Sequence, residues 1–427
     1  MRLLLIGDRV ALDDVRQLLP VEEMSTVLAV TGDEVTCPVE IAPHSEAGHV
    51  EEGADWWVMS DRTDARGRPQ RPDHVLGVGG ASTTLAQLTV RRPIASALDI
   101  GTGCGVQALH LSRHARHVTA TDAVPRAMAL AATGFALSGV DVELVEGDLA
   151  QPVRDRAFDL VVCNPPFVVG PSARFSYRDA GGDGDDISCA AIRAAASVLT
   201  EGGVAQLLAN WLHVLGEDWR DRVAAWVADL GCDAWLVERD VQDPVDYVST
   251  WLADAGEDDP RVAEQWLQWF RTNRIEAVGF GWVLLRRVGA GSARIAVEAA
   301  TQPVEQPLGP HLAGWLDRVA WLRERGDDEL LATRFTVAPG VRLDVASAPG
   351  GQGWEPLAQA LRMDDGWRWT LPCDHATAAI VSGCDGATPL RTVVAVLTVT
   401  LGVPEPELAP AVCATVRGLV DRGLLLP

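Results

Sequence analysis

The chain has 427 residues, 48% of them hydrophobic, a formal net charge of −23 and no Lys among its 36 basic residues. This length predicts two or three domains, and the absence of any apolar run near the ~18 residues that span a bilayer predicts a soluble protein with no membrane partner. The start MRLLLIGDR is interrupted too early by Asp8 and Arg9 for a signal peptide, which predicts a cytoplasmic location. The lack of Lys excludes Schiff-base chemistry, and the negative charge disfavours nucleic acid as a partner.

The N-terminal part differs in pattern from the rest of the chain. Residues 1–70 carry short helix and strand patterns and end at the polar, proline-bearing stretch DRTDARGRPQRPD. Such a stretch is typical of a boundary between folded elements. We therefore expect residues 1–70 to form a small N-terminal cap that recognises the substrate.

The central region alternates strand and helix patterns, which predicts a doubly wound α/β domain with a parallel sheet over residues 71–290. Seven strands are predicted, at 95–100, 118–121, 142–145, 158–163, 204–209, 232–240 and 275–287. After the turn VGAGSAR, residues 291–427 are predicted to form a separate α+β domain. Its last segment, VCATVRGLVDRGLLLP, is similar to the helix-and-wing end of winged-helix modules.

The first predicted strand leads into a glycine-rich loop, LDIGTGCG at 98–105. Gly101, Gly103 and Gly105 permit sharp turns and a close approach of backbone to a ligand. The spacing differs from the dinucleotide fingerprint G-x-G-x-x-G. Together with Asp99 before it, the loop favours a ligand that bears both an ammonium and a carboxylate group.

Two acids follow the next two strands. Asp122 lies at the end of the second strand, where an acid can accept hydrogen bonds from ribose hydroxyls, and Asp148 follows the third, where it could accept from an adenine amino group. Acids at such positions also cap helices. Their placement at the carboxyl ends of successive strands favours a cofactor of the nucleoside type.

The fourth strand ends in the stretch DLVVCNPPFVVG at 159–170. Proline has no N–H for a sheet ladder, so Pro165 and Pro166 end the strand and begin a stiff loop. The Asn164 side-chain carbonyl and the Pro165 backbone carbonyl can accept hydrogen bonds from a planar NH₂ group, on which Phe167 can stack. The alternative is a proline-rich strand exit without a further role.

These motifs, in this order, resemble class I S-adenosylmethionine-dependent methyltransferases with an N/D-P-P-Y/F/W loop, over residues 73–287. That branch includes protein-glutamine, adenine-N6 and ribosomal RNA guanine-N2 methyltransferases. The resemblance implies S-adenosyl-L-methionine as cofactor and S-adenosyl-L-homocysteine as product. The implied cofactor contacts are Asp99, Gly101, Thr102, Gly103, Gly105, Asp122, Asp148 and Asn164. The implied acceptor contacts are Asn164, Pro165, Pro166, Phe167 and Tyr177, with Asn164, Pro165 and Phe167 catalytic.

The resemblance thus implies an N-methyltransferase for a planar nitrogen, either a protein glutamine amide or an exocyclic nucleobase amine. Two alternatives are open: a small-molecule N-methyltransferase and a non-catalytic, cofactor-binding regulator. Protein, nucleic acid and small molecule therefore all stand as acceptor classes. No metal site is predicted, because the eight cysteines are scattered along the chain.

Three further features each have a functional and a structural interpretation. The acidic loop after the NPPF motif covers the pocket or is solvated, and its acids would repel a phosphate backbone: Asp179, Asp183, Asp185 and Asp186. Asn210 and Trp211 line the cofactor pocket or belong to the core. Tyr247 borders the substrate entrance or is structural.

Overall fold

The computed structural model describes residues 2–24, 27–45, 55–63, 71–166, 168–171, 184–289, 293–351 and 353–427. The chain divides into two compact units, Met1–Thr301 and Gln302–Pro427. No helix in these described ranges has both the length and the apolar character needed to cross a membrane.

Among the N-terminal residues that the structure describes, one short helix and five short strands follow a turn of π-helix at Arg2–Ile6. The elements are β1 (Val10–Ala11), α1 (Leu12–Arg16), β2 (Ala29–Thr31), β3 (Glu34–Thr36), β4 (Val39–His44) and β5 (Trp56–Asp61). Strands β1, β3 and β2 make one small sheet, and β4 pairs with β5 in another.

The central sheet of the first unit has eight strands among the described residues. They are β6 (Ile94–Ile100), β7 (Ala115–Asp122), β8 (Glu143–Glu146), β9 (Phe158–Cys163), β10 (Leu199–Val214), β11 (Cys232–Gln242), β12 (Ile275–Arg287) and β13 (Ile295–Ala299). Their order across the sheet is β13-β11-β12-β10-β9-β6-β7-β8. Only β12 runs antiparallel to its neighbours, β10 and β11.

This sheet confirms the predicted α/β fold and its seven strands. The additional strand β13 pairs in parallel with β11 and lies beyond residue 290, where the predicted domain ended. The compact unit extends to Thr301 for that reason. Strand β10 is also longer than the predicted 204–209, because β12 gives it a hydrogen-bonding partner as far as Val214.

The helices of the first unit follow the strands. They are α2 (Gly80–Leu88), α3 (Val106–Leu111), α4 (Pro125–Ser138), α5 (Asp186–Ser197), α6 (Trp219–Val227), α7 (Pro244–Ala255) and α8 (Pro260–Thr272), with a turn of 3₁₀-helix at Gln151–Val153. Both α7 and α8 begin with Pro directly after an Asp that accepts backbone N–H bonds, Asp243 and Asp259 respectively. This sequence order is a strong start signal for a helix.

The N-terminal strands are attached to the sheet domain through α4. Asp61 at the end of β5 forms a buried ion pair with Arg126 of α4. The Trp57 N–H donates to the Ser138 hydroxyl at 2.9 Å. The N-terminal residues therefore lie in the same compact unit as the sheet, and their role in substrate recognition stays a prediction.

One side of the sheet projects past the end of strand β9. Strand β10 pairs with β9 only as far as Leu207 opposite Cys163, but continues to Val214 with β12 beside it. Helices α7 and α8, which connect β11 to β12, pack on this projecting part. We call the resulting apolar group the upper cluster: Val168, Val169, Leu212, Tyr247, Val248, Leu252, Trp266, Phe270, Ile275 and Val278.

The second unit combines helices with short strands. Its elements are α9 (Gly309–Arg323), α10 (Asp327–Ala332), β14 (Thr336–Val337), β15 (Val341–Gly350), β16 (Gly353–Met363), β17 (Thr370–Pro372), α11 (His375–Ser382), α12 (Leu390–Leu401), α13 (Glu405–Arg422) and β18 (Leu425–Leu426). Helix α13 ends at Gly423, in the left-handed conformation, and β18 then pairs with β14. The content is α+β as predicted, and the winged-helix similarity stays a prediction.

Candidate functional site

The strand register brings three predicted site residues to one edge of the sheet. Ile100 of β6 lies opposite Thr121 of β7 on one side and Cys163 of β9 on the other. The next residues on these three parallel strands are Gly101, Asp122 and Asn164. They therefore lie at the carboxyl edge, where open α/β sheets bind their ligands.

The three glycines of the loop serve different purposes. Gly101, Gly103 and Gly105 have φ angles of +69°, +55° and +83°, a region that favours glycine. A Cβ atom on Gly101 or Gly103 would meet no atom of the described residues within 4 Å, whereas one on Gly105 would lie 2.6 Å from Phe135 Cε1. Gly101 and Gly103 thus border open space that can hold a ligand, while Gly105 lets α4 pack against the loop.

Asp99 holds the glycine loop from inside. Its side chain is buried, and Oδ2 accepts hydrogen bonds from the Thr102 hydroxyl at 2.6 Å and from the Ala108 N–H at 3.2 Å. Burial raises the pKa of Asp99 to about 7, against the opposing effect of these two bonds. These side-chain hydrogen bonds of Asp99 and Thr102 thus lie within the loop and its helix.

This raised pKa predicts a pH-dependent stability. Because the pKa of Asp99 in the folded protein is about 7, above its ordinary value of 3.8, the unfolded chain loses this proton first as the pH rises. The stabilisation from protonated Asp99 is complete below about pH 4 and is lost between about pH 4 and 7. Relative to Asp99→Asn, the free energy of unfolding of the natural protein should fall across that interval, by at most about 1.4 kcal/mol per pH unit.

Urea denaturation of both proteins without ligand, at several pH values in the interval, measures this difference. Parallel pH profiles of the two proteins would show that Asp99 is not a buried, titrating acid.

Asp122 accepts hydrogen bonds on both of its oxygens. Oδ2 accepts from the Gly103 N–H at 2.9 Å and Oδ1 from the Val124 N–H at 2.9 Å. Burial raises the pKa of Asp122, and these backbone bonds oppose the effect. Since an ionised carboxylate can accept about four hydrogen bonds, Asp122 can still accept from a ligand's hydroxyl groups.

Asp148 follows β8, the strand next to β7 in the sheet, and its side chain is exposed. The N–H of the preceding Gly147 donates to the Asp122 carbonyl at 3.0 Å, which joins the turn after β8 to the turn after β7. The two acids therefore occupy neighbouring turns of the carboxyl edge. One is half-buried and bonded to the glycine loop, and the other is open to solvent.

Asn164 begins the NPPF motif directly after β9. Its side-chain oxygen Oδ1 is buried and has no hydrogen-bond partner among the residues that the structure describes. A buried acceptor without a donor costs about 1–3 kcal/mol, so the unmet bond points to a donor supplied by a ligand. Pro165 is buried and Pro166 half-buried beside it. Phe167 and Tyr177, also predicted to contact the acceptor, lie outside the described residues.

Tyr247 does not border an open entrance, because its side chain is fully buried. Its hydroxyl accepts the Val169 N–H at 2.7 Å, just beyond the NPPF motif. No local sequence pattern indicates this contact between residues far apart in the chain.

The acidic loop after the motif differs from expectation at its end. Asp185 is buried and forms an ion pair with Arg222 at 2.6 Å, and its Oδ2 accepts the Leu212 N–H at 2.9 Å. Its charge is therefore compensated, and the prediction that it repels phosphate is wrong. Asp186 is exposed, while Asp179 and Asp183 lie outside the described residues.

Asn210 and Trp211 belong to the core, in agreement with their structural interpretation. Both side chains are fully buried. The Asn210 Oδ1 accepts from the Ser188 hydroxyl at 2.9 Å, and the Trp211 Nε1–H donates to Glu238 at 2.8 Å.

Comparisons with known proteins agree with this geometry. Residues 78–214 match the model of the methyltransferase small domain, and residues 313–427 match a domain of unknown function, DUF7782. A release factor glutamine methyltransferase of Deinococcus radiodurans is 32% identical over 208 residues, which cover 45% of this chain and 72% of that protein.

Two further relatives are shorter matches. A ribosomal protein uL3 glutamine methyltransferase of Xanthomonas campestris is 32% identical, over 36% of this chain and 53% of the relative. A ribosomal RNA small subunit methyltransferase C of Alcanivorax borkumensis is 33% identical, over 26% of this chain and 31% of the relative. The chain thus spans about half or less of the length of these two proteins.

The α/β sheet, the glycine loop and the acceptor at the end of β9 define an S-adenosylmethionine-dependent methyltransferase of class I. Within that class, the chain belongs to the methyltransferase small-domain family.

The residues at the carboxyl edge fit S-adenosylmethionine. The open space beside Gly101 and Gly103 can admit the cofactor, and Asp122 can accept hydrogen bonds from its ribose. Asp148 is open to solvent and can accept from the adenine amino group. When bound, the cofactor supplies an electrophilic methyl group on a positively charged sulfur.

The contrast between Gly105 and Gly101 predicts two different losses on substitution by Ala. Gly105→Ala should lower the free energy of unfolding by about 2–5 kcal/mol, since left-handed strain of about 1–2 kcal/mol adds to the overlap with Phe135. Gly101→Ala should cost only the strain, but its methyl group enters the open space and weakens cofactor binding. Thermal melts and calorimetric titration with S-adenosylmethionine measure the two effects, and an equal loss of stability in both variants would contradict the packing role of Gly105.

Proposed function

We propose that the enzyme methylates the side-chain amide nitrogen of a glutamine in a protein. The observation that carries this proposal is the buried Oδ1 of Asn164, which has no hydrogen-bond partner among the residues that the structure describes and lies next to the glycine loop at the carboxyl edge. An acceptor oxygen on a loop stiffened by two prolines suits a planar NH₂ group, because it can bind one of its hydrogens in a fixed direction.

A planar nitrogen is a poor nucleophile, since its lone pair is delocalised into the adjacent π system. Hydrogen bonds from the NH₂ group to Asn164 Oδ1 and to the Pro165 carbonyl would orient the lone pair and favour its attack on the methyl group. Phe167 would stack on the amide plane. No Lys is present in the chain to act as a base, and none is required, because the proton can leave after the transfer.

Two observations favour protein over nucleic acid as the acceptor. Relatives named for the release factor and for ribosomal protein uL3 are glutamine methyltransferases. The net charge of −23 repels a phosphate backbone. The relative named for ribosomal RNA makes an exocyclic nucleobase amine the competing acceptor.

We also propose that the N-terminal residues and the second unit select the acceptor, and that the enzyme works in the cytoplasm. All eight cysteines are free thiols. Proteins of reducing compartments such as the cytoplasm keep their cysteines in this form. The named relatives modify components of translation, which fits the same location.

Labelled S-adenosylmethionine tests this function directly. The purified enzyme is incubated with cell extract and the methyl-labelled cofactor, and the extract is then separated into protein, RNA, DNA and small molecules. We expect the label in protein, on glutamine after digestion and mass spectrometry. Label confined to RNA, DNA or small molecules would overturn the glutamine proposal.

A further inference from the structure

We propose that Tyr247 is a positioning residue for methyl transfer. Its hydroxyl group, bonded to the Val169 N–H, keeps the loop that carries Asn164 in one position. This inference rests on the proposed function and extends it to helices α7 and α8. Tyr247 lies in α7, between β11 and β12, and belongs to neither the glycine loop nor the NPPF motif.

The packing of the Tyr247 ring sets the position of its hydroxyl group. The ring is fully buried, and its neighbours surround it: Phe270 at 5.7 Å, Trp251 at 6.1 Å and Phe280 at 6.0 Å between ring centroids. The hydroxyl then accepts the Val169 N–H at 2.7 Å. A buried ring with packed neighbours has one orientation, so this bond sets the position of the Val169 backbone.

Helix α8 makes a second contact with the adjacent residue. Trp266 is buried and packs on Gly170 so closely that a Cβ atom there would lie 2.7 Å from Trp266 Cη2. Val168 and Val169 also insert their side chains into the upper cluster. Both helices therefore hold consecutive residues at the exit of the NPPF motif.

The acceptor loop is thus held at both ends. Cys163 is paired in the sheet with Ile100 and Leu207, and Val169 is bonded to Tyr247. Pro165 and Pro166 stiffen the backbone between these two points. Since a displacement of about 1 Å in a reacting group can cost about 100-fold in rate, the exit contacts bear on where Asn164 Oδ1 meets the acceptor nitrogen.

Tyr247→Phe tests the role of the hydroxyl, with Val248→Ala as a matched control in the same cluster. Tyr247→Phe removes the bond to Val169 and leaves the ring. Val248 is buried next to it in the upper cluster, so Val248→Ala weakens the packing and keeps the hydroxyl. A merely structural role of Tyr247 would make the two variants behave alike.

Three quantities are measured on the full chain: amide hydrogen exchange of the peptide over 164–171, the dissociation constant of S-adenosylmethionine, and kcat and KM with the acceptor protein. In Tyr247→Phe we expect amide exchange at Val169 to become about tenfold faster or more and kcat to fall by about tenfold or more. The affinity for S-adenosylmethionine should be unchanged. In Val248→Ala we expect a lower melting temperature with exchange and kcat near those of the natural enzyme.

Gly170→Ala provides an independent variant, because its methyl group must push the loop away from Trp266. It should lower kcat in the same way without touching Tyr247. The proposal would be overturned if amide exchange at Val169 and kcat in Tyr247→Phe equalled those of the natural enzyme. It would also be overturned if Val248→Ala changed both quantities as much as Tyr247→Phe does. If no acceptor protein is methylated by the natural enzyme, the proposed function fails, and the exchange measurement still decides whether Tyr247 holds the loop.

Discussion

Replacing Asp122 with Ala is expected to weaken the binding of S-adenosylmethionine by at least about 100-fold. The carboxylate would accept two hydrogen bonds from the ribose, and each bond to a charged group contributes about 1.5–3 kcal/mol. Asp122 also accepts the Gly103 and Val124 N–H groups, so its removal loosens the glycine loop as well as the direct contact. Isothermal titration calorimetry of the purified variant measures the loss.

Asp155→Ala is a suitable control, because that side chain is 90% exposed on the same domain. It removes the same charge and should bind the cofactor as the natural enzyme does. A thermal melt of Asp122→Ala separates a lost contact from an unfolded loop. Affinity within about threefold of the natural enzyme would contradict the assignment of Asp122 to the ribose, since even one lost bond exceeds that change.

The parts of the fold that sequence analysis predicted correctly are those whose cause is local. The seven strands follow from short apolar runs that alternate with helix patterns along the chain. The positions of Gly101, Asp122 and Asn164 at one edge follow from parallel pairing, which places the residues after successive strands side by side. Strand β13 was missed because it follows the linker-like turn that ended the predicted domain.

The features that sequence analysis missed depend on contacts between distant parts of the chain. Tyr247 bonds to Val169, and Asp185 pairs with Arg222, across long separations that no local pattern encodes. Gly105 belongs to the same glycine pattern as Gly101, yet only packing against Phe135 of α4 shows its different role. A motif therefore identified which residues are needed, while the tertiary structure showed what each one contacts.

The upper cluster connects these missed contacts to the chemistry. Leu212 of β10 belongs to it, and the Leu212 N–H also donates to Asp185, which is bonded to Arg222 of α6. The projecting end of β10 thus holds residues on both sides of the segment that follows the NPPF motif. The part of the sheet that extends beyond β9 supports the acceptor loop as well as the core.

Replacing Asn164 with Ala is expected to reduce methyl transfer by about 100- to 1,000-fold, the range found when one preorganised hydrogen-bonding group of an active site is removed. Cofactor affinity should stay within a few-fold, because Asp122 and the glycine loop remain. The melting temperature should not fall, since Asn164 Oδ1 has no partner within the described chain whose bond would be lost. Steady-state kinetics with the acceptor protein, calorimetry and thermal melts measure the three quantities.

Asn210→Ala gives the opposite pattern and serves as the matched control. Asn210 is also buried, within strand β10, but its Oδ1 accepts from the Ser188 hydroxyl at 2.9 Å, so its removal leaves a buried donor unpaired. We expect it to lower stability by about 1–3 kcal/mol. Full turnover by Asn164→Ala, or a loss of stability equal to that of Asn210→Ala, would show that the Asn164 oxygen does not bind the acceptor nitrogen. Its role would then be structural.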